Sequence, residues 1–176
     1  INSLTGACVY AKGGNTVVSG GEYKNNSTGE YPYSETNKAV LVLNQQNNTT
    51  AQISVTGGSF SGRSPASGDD SGTPATFVAG GYFVPSTTSP YVVKQIAATT
   101  GSGDSLKNHA SVADALKETS ITAVTIVADV NENATVPTNV TITVTENKKV
   151  SGDYTLGKGS KIVLSNGASF DGSISY

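Results

Sequence analysis

Apolar and polar residues alternate strictly along Val140-Thr141-Ile142-Thr143-Val144, so an extended chain there carries valine and isoleucine on one face and threonine on the other. Similar short runs occur at Ala7-Cys8-Val9-Tyr10-Ala11, Thr16-Val17-Val18, Ala39-Val40-Leu41-Val42-Leu43 and Gln52-Ile53-Ser54-Val55. Further strands are predicted over Val124 to Val130, Val150 to Leu156 and Lys161 to Ser165. Helical periodicity is convincing only in Ser111-Val112-Ala113-Asp114-Ala115-Leu116-Lys117-Glu118, where Val112, Ala115 and Leu116 share a face. Ser111 and Asp114 there have the spacing of a capping box. The pattern predicts an all-β fold with one short helix near residues 111–119.

A short phrase recurs three times: Val18-Ser19-Gly20-Gly21-Glu22-Tyr23, Val55-Thr56-Gly57-Gly58-Ser59-Phe60 and Val78-Ala79-Gly80-Gly81-Tyr82-Phe83. Recurrence of this kind is what stacked coils leave in a sequence, because each coil turns the same corner. Gly20, Gly21, Gly57, Gly58, Gly80 and Gly81 are therefore expected at structural corners, with Tyr23, Phe60 and Phe83 turning inward to stack from coil to coil. Ordinary hairpins are the competing reading, since Gly-Gly is also a hairpin turn signal. Polar insertions at Asn25 to Thr36 and Gly62 to Pro74 read as surface loops.

Thr99-Thr100-Gly101-Ser102-Gly103 reads as a connector, which divides the chain into repeats over residues 1–98 and a second segment over 99–176. In that second segment the helix is expected to cap an open end of the stack. Strands centred on Ile126, Ile142 and Val163 follow it at the spacing of short coils.

Abundant Ser, Thr, Asn and Gly raise disorder as a rival, but 36% apolar residues in alternating runs favour a packed core. A net charge of −2 and a single arginine, Arg63, leave no basic footprint for nucleic acid. No apolar run reaches the roughly 18 residues of a spanning helix, so no membrane span is expected in this chain. Cys8 is the only cysteine, so no disulfide closes within the chain, and it reads as a small hydrophobe at a buried strand position. The chain opens at Ile1 and reads as a mature chain or an excised fragment, with further modules of a longer parent as partners.

Candidate chemistry is sparse. A sugar-cleaving site needs carboxylates flanking one bond, whereas Glu22, Glu30, Asp69, Asp70, Asp129, Asp153 and Asp171 are scattered through predicted loops. His109, the lone histidine, reads as a solvated residue ahead of the helix. Asp129-Val130-Asn131-Glu132-Asn133 begins like a calcium loop, but Ala134 replaces the required glycine and Val140 the bidentate glutamate. Thr141, Thr143 and Thr145 form a threonine row of the kind used in lattice binding, on one coil only. No catalytic residue, metal ligand or cofactor is therefore expected.

The phrases Val55-Thr56-Gly57-Gly58-Ser59-Phe60-Ser61-Gly62 and Ala79-Gly80-Gly81-Tyr82-Phe83-Val84 resemble the glycine-glycine-aromatic repeats of right-handed parallel β-helix proteins on the surface of gut bacteria. The run Ala110 to Leu116, continuing through Val124 to Val130, is similar to the helix-then-strand opening of β-helix modules in the same kind of protein. The resemblance implies a right-handed parallel β-helix, an extracellular or surface-attached location, and a non-enzymatic structural or adhesive role in contact with surface glycans or host and matrix proteins. The alternative it carries is a polysaccharide lyase or glycoside hydrolase-like β-helix, intact or degenerate. Fold likeness alone transfers neither activity.

Overall fold

A computed structural model describes residues 2–3, 7–26, 40–43, 45, 50–61, 71–72, 74–86 and 88–176. Among them the chain is all-β apart from one short α-helix and brief 3-10 turns, and it divides into two units, Ile1–Gln95 and Ile96–Tyr176. The insertions read at Asn25 to Thr36 and Gly62 to Pro74 lie largely outside the described residues, as do Glu30, Arg63, Asp69 and Asp70. Asn25 is an exception: it ends a strand and is buried rather than opening a surface loop.

The first unit contains β1 (Asn2–Ser3), β2 (Val9–Ala11), β3 (Asn15–Asn25), β4 (Leu41–Leu43), β5 (Gln52–Ser61), β6 (Ser71–Gly72), β7 (Tyr82–Phe83) and β8 (Tyr91–Gln95). Its sheets are mixed, in the orders β1-β3-β5-β8-β7 and β2-β4-β6. β3 and β5 run parallel from Asn15 opposite Gln52 to Lys24 opposite Ser61, whereas β5 and β8 run antiparallel. Cys8 sits just before β2, half-buried against the core with its amide donated to the Val40 carbonyl, so the sequence expectation of a strand position is off by one residue.

The first two glycine phrases lie side by side inside β3 and β5, at register shifts between Val18 and Ser19 and between Ser19 and Glu22. A side chain on Gly57 would place its Cβ 2.5 Å from the Ser19 carbonyl oxygen, so backbone approach dictates glycine there. Beyond the irregularity, Tyr23 stacks on Phe60 with centroids 5.1 Å apart and planes at 8°. The third phrase joins through Val78, which bridges Val55 in parallel, so Val18, Val55 and Val78 stand in a row. Its Gly80-Gly81 then forms a turn into β7, which pairs antiparallel with β8 and sets Phe83 opposite Lys94.

The second unit contains β9 (Ala98–Thr100), β10 (Lys107–His109), α1 (Val112–Ala115), β11 (Ala123–Ile126), β12 (Val130–Asn131), β13 (Ala134–Val136), β14 (Thr141–Val144), β15 (Lys149–Ser151), β16 (Tyr154–Leu156), β17 (Lys161–Leu164), β18 (Ser169–Asp171) and β19 (Ile174–Ser175). Residues 99–100, read as part of a connector, belong to β9, which lies antiparallel to both β10 and β11. The remaining pairings are all parallel and form three ladders: β11-β14-β17, β12-β15-β18 and β13-β16-β19. Val130 pairs with Val150 and Val150 with Phe170, a step of 20 residues; Ala134, Tyr154 and Ile174 repeat the same step.

Alternation explains why these segments are strands. In β14, Ile142 and Val144 are fully buried while Thr141 and Thr143 are half-buried on the other face. Ile142 lies between Val124 and Ile162, and Val144 between Ile126 and Leu164, so apolar side chains stack inside the unit. Corners break what the sequence suggests are longer strands. Val124 to Val130 is interrupted after Ile126, and Val150 to Leu156 divides at Gly152-Asp153. Gly152 has φ +117, and a Cβ there would overlap the Glu132 carbonyl of the preceding coil.

The helix is one turn, Val112–Ala115, shorter than the span expected over residues 111–119. Ser111 Oγ accepts the Asp114 amide at 3.0 Å, so half of the capping box forms as the spacing predicts. The other first-turn amides are met from 20 residues away: Glu132 accepts from Val112 at 2.7 Å and from Ala113 at 3.2 Å. Val112, Ala115 and Leu116 enter the core, so α1 covers the end of the stack ahead of β12 and β13.

Candidate functional site

The largest concavity of the second unit is a groove of about 500 Å³ between the β9-β10 connection, the segment after α1, and β11. β9 and β10 form an antiparallel pair whose turn contains Gly101 at φ +74 and the 3-10 turn Gly103–Ser105. Within that turn Ser105 Oγ donates to the Ser102 carbonyl at 2.8 Å. Below it, Thr100 Oγ1 and His109 Nε2 are 2.9 Å apart in the buried part of the pair. His109 is thus not the solvated residue the sequence suggests. Its ring is 8% exposed and joins two strands through Thr100.

The opposite wall is Glu118 to Thr122, where Ser120 takes the left-handed conformation at φ 59. Lys107 and Glu118 pair across the groove. The lysine hydrogen bond is the first cause holding the Glu118 carboxyl below its ordinary value, with the charges of Lys107 and His109 adding to it and burial opposing. Hydroxyls of Thr99, Thr119, Thr122 and Thr125 line the remainder, together with the apolar Ile121 and Ala123. Hydroxyl groups both donate and accept, and small apolar patches between them accept the faces of sugar rings or extended peptide. Glu118 is the only carboxylate lining this groove, and it is committed to Lys107.

The acids singled out from sequence are bound into the coil stack instead. Asp129 Oδ1 accepts the Lys149 amide at 2.8 Å, and Asn133 Oδ1 accepts the Asp153 amide at 2.8 Å. Asp153 Oδ1 in turn accepts from the Ser173 hydroxyl at 2.7 Å and amide at 3.3 Å. Asp171 pairs with Lys149 at 2.9 Å. The oxygens of the calcium-like run therefore point to the next coil or, for Glu132, to α1. Among the described residues no group of three or more His, Cys, Asp or Glu side chains gathers as a metal site.

The threonine row is short. Thr99, Thr125 and Thr143 are neighbours across β9, β11 and β14, but Val163 follows, and Thr141 stands between Ala123 and Lys161. Thr145 donates its hydroxyl to the Ile126 carbonyl. The glycine phrases stand apart from the groove, in the first unit. Thr99, Lys107, Glu118 and Thr125 escape sequence reading because they lie on different elements, and the 11 residues between Lys107 and Glu118 match no helical or strand spacing. No described helix is long and apolar enough to cross a membrane. Comparison with protein-family models, curated proteins and solved structures gives no match.

Proposed function

We propose that the chain is a right-handed parallel β-helix module of a bacterial cell-surface or secreted protein, a non-enzymatic element that contacts glycans through the groove beside Lys107 and Glu118. The helical reading is supported by three parallel ladders with a common 20-residue step. Right-handedness follows the strong preference of parallel crossover connections for that hand.

One observation carries the functional part: a groove of about 500 Å³ lined by threonine and serine hydroxyls around a single lysine-glutamate pair. Such a lining offers many hydrogen bonds to neutral sugar hydroxyls. The pair of flanking carboxylates that glycoside cleavage uses is replaced here by one carboxylate held by lysine.

The test is a glycan array with the 176-residue chain, followed by titration calorimetry on any sugar retained. Retention that falls at least about tenfold in Lys107→Ala and Thr125→Val, a loss of roughly 1.4 kcal/mol, supports the reading. Retention unaffected by both variants refutes the groove as the contact. Release of product from a polysaccharide points instead to the lyase or hydrolase alternative.

A further inference from the structure

We infer that the coil face formed by β17, β18 and β19 is a docking surface for a further β-coil of the same 20-residue type. This rests on the ladder architecture and is independent of the groove.

Each of these strands is paired on one side only and ends its ladder. Inward positions that are closed one coil earlier are open here. Val144 is 0% exposed and Leu164, 20 residues on, 46%; Tyr154 is 1% exposed and Ile174 44%; Leu156 is 5% exposed and Tyr176 92%. Ile162 and Phe170 are half-buried where Ile142 and Val150 are closed. The side chains are of the core-forming kind throughout, so what differs is the absence of a neighbouring strand.

The occupant is specified by continuity with the coil-on-coil interface already present. Gly152 and Tyr154 donate their amides forward, to the carbonyls of Asp171 and Ser173. The equivalents 20 residues later are the amides of Gly172 and Ile174, at the edge with no neighbouring strand. A matching coil carries carbonyls at those heights, apolar residues above Leu164, Phe170 and Ile174, and glycine above Gly172. The glycine is required because a Cβ at Gly172 already overlaps the Gly152 carbonyl. Opposite ends of the stack differ in this respect: α1 covers one with Val112, Ala115 and Leu116.

The test appends a copy of residues 157–176 after Tyr176, which sets each new strand 20 residues beyond its counterpart, and compares it with an appended scramble of the same composition. Hydrogen exchange is followed by NMR, and the oligomeric state of the unextended chain by sedimentation. The expected result is slowing of the Gly172 and Ile174 amides by at least about tenfold in the matched extension only, together with a higher unfolding midpoint. Equal exchange in the matched and scrambled extensions overturns the proposal. So does a dimer of the unextended chain that dissociates in Leu164→Asp, because a second copy is then the occupant. Glycan retention at the groove is read in parallel, and its loss or persistence leaves this outcome unchanged.

Discussion

Alanine at Gly152 and alanine at Gly103 are expected to differ sharply in cost, although both glycines have positive φ. Gly103 sits at φ +56 with nothing within 4 Å of a built Cβ. Its replacement therefore meets only the left-handed penalty of about 1 kcal/mol. Gly152 sits at φ +117, beyond the left-handed region that other residues tolerate, and its Cβ overlaps the Glu132 carbonyl. Strain of about 1–3 kcal/mol adds to overpacking of about 1–3 kcal/mol, so Gly152→Ala is expected to cost roughly 2–6 kcal/mol. Relief by moving Glu132 is itself unfavourable, since that residue's carboxylate holds the first amides of α1. Urea unfolding of the 176-residue chain, followed by circular dichroism, measures the difference. With a slope of about 1–3 kcal/mol per molar urea, Gly152→Ala should lose about 1 M or more of midpoint and Gly103→Ala distinctly less. Equal midpoints for the two variants refute the close approach between coils.

Three other outcomes follow from the same packing. Tyr154, 1% exposed, has its phenol pushed up to about 12, first by burial and then by the charge of Glu132. A folded value above the unfolded one contributes stability that is complete below pH 10 and is lost as pH rises toward 12, so alkaline titration at the phenolate absorbance should show one late tyrosine. That late step should vanish in Tyr154→Phe and move to lower pH in Glu132→Gln; a late step persisting in Tyr154→Phe refutes the assignment. Glu132→Ala removes the acceptor of two first-turn amides and should cost about 1–2 kcal/mol by urea unfolding, against under about 0.5 kcal/mol for the exposed Glu146→Ala. Ile142→Ala, at a fully buried position between Val124 and Ile162, should cost about 2–5 kcal/mol, while Thr143→Ala on the outer face should stay within about 0.5 kcal/mol.

What the sequence revealed and what it hid divide along the range of the interactions involved. Alternation in Thr141 to Val144 gives the strand and its buried face directly, because period two is local. The glycine-aromatic phrase also brings Tyr23 against Phe60, since repetition implies alignment. Corners inside Val124 to Val130 and Val150 to Leu156 were hidden because valine and tyrosine run continuously past them, and the turning residues Asp129 and Asp153 act through the neighbouring coil. Burial of His109 depends on Thr100 across an antiparallel pair that the apparent connector conceals. The groove was hidden for the same reason: Lys107 and Glu118 meet only after β10 and α1 are in place.

The column of polar side chains from Asn133 through Asp153 to Ser173 settles a choice that greasy packing leaves open. Sliding one layer along its neighbour by a single residue turns the strand inside out, but sliding by two keeps oily groups within. Only the correct alignment brings each oxygen beneath an amide or hydroxyl that needs it. The column therefore acts as a notched key between successive turns of the chain, selecting one phase among those that hydrophobicity alone would accept.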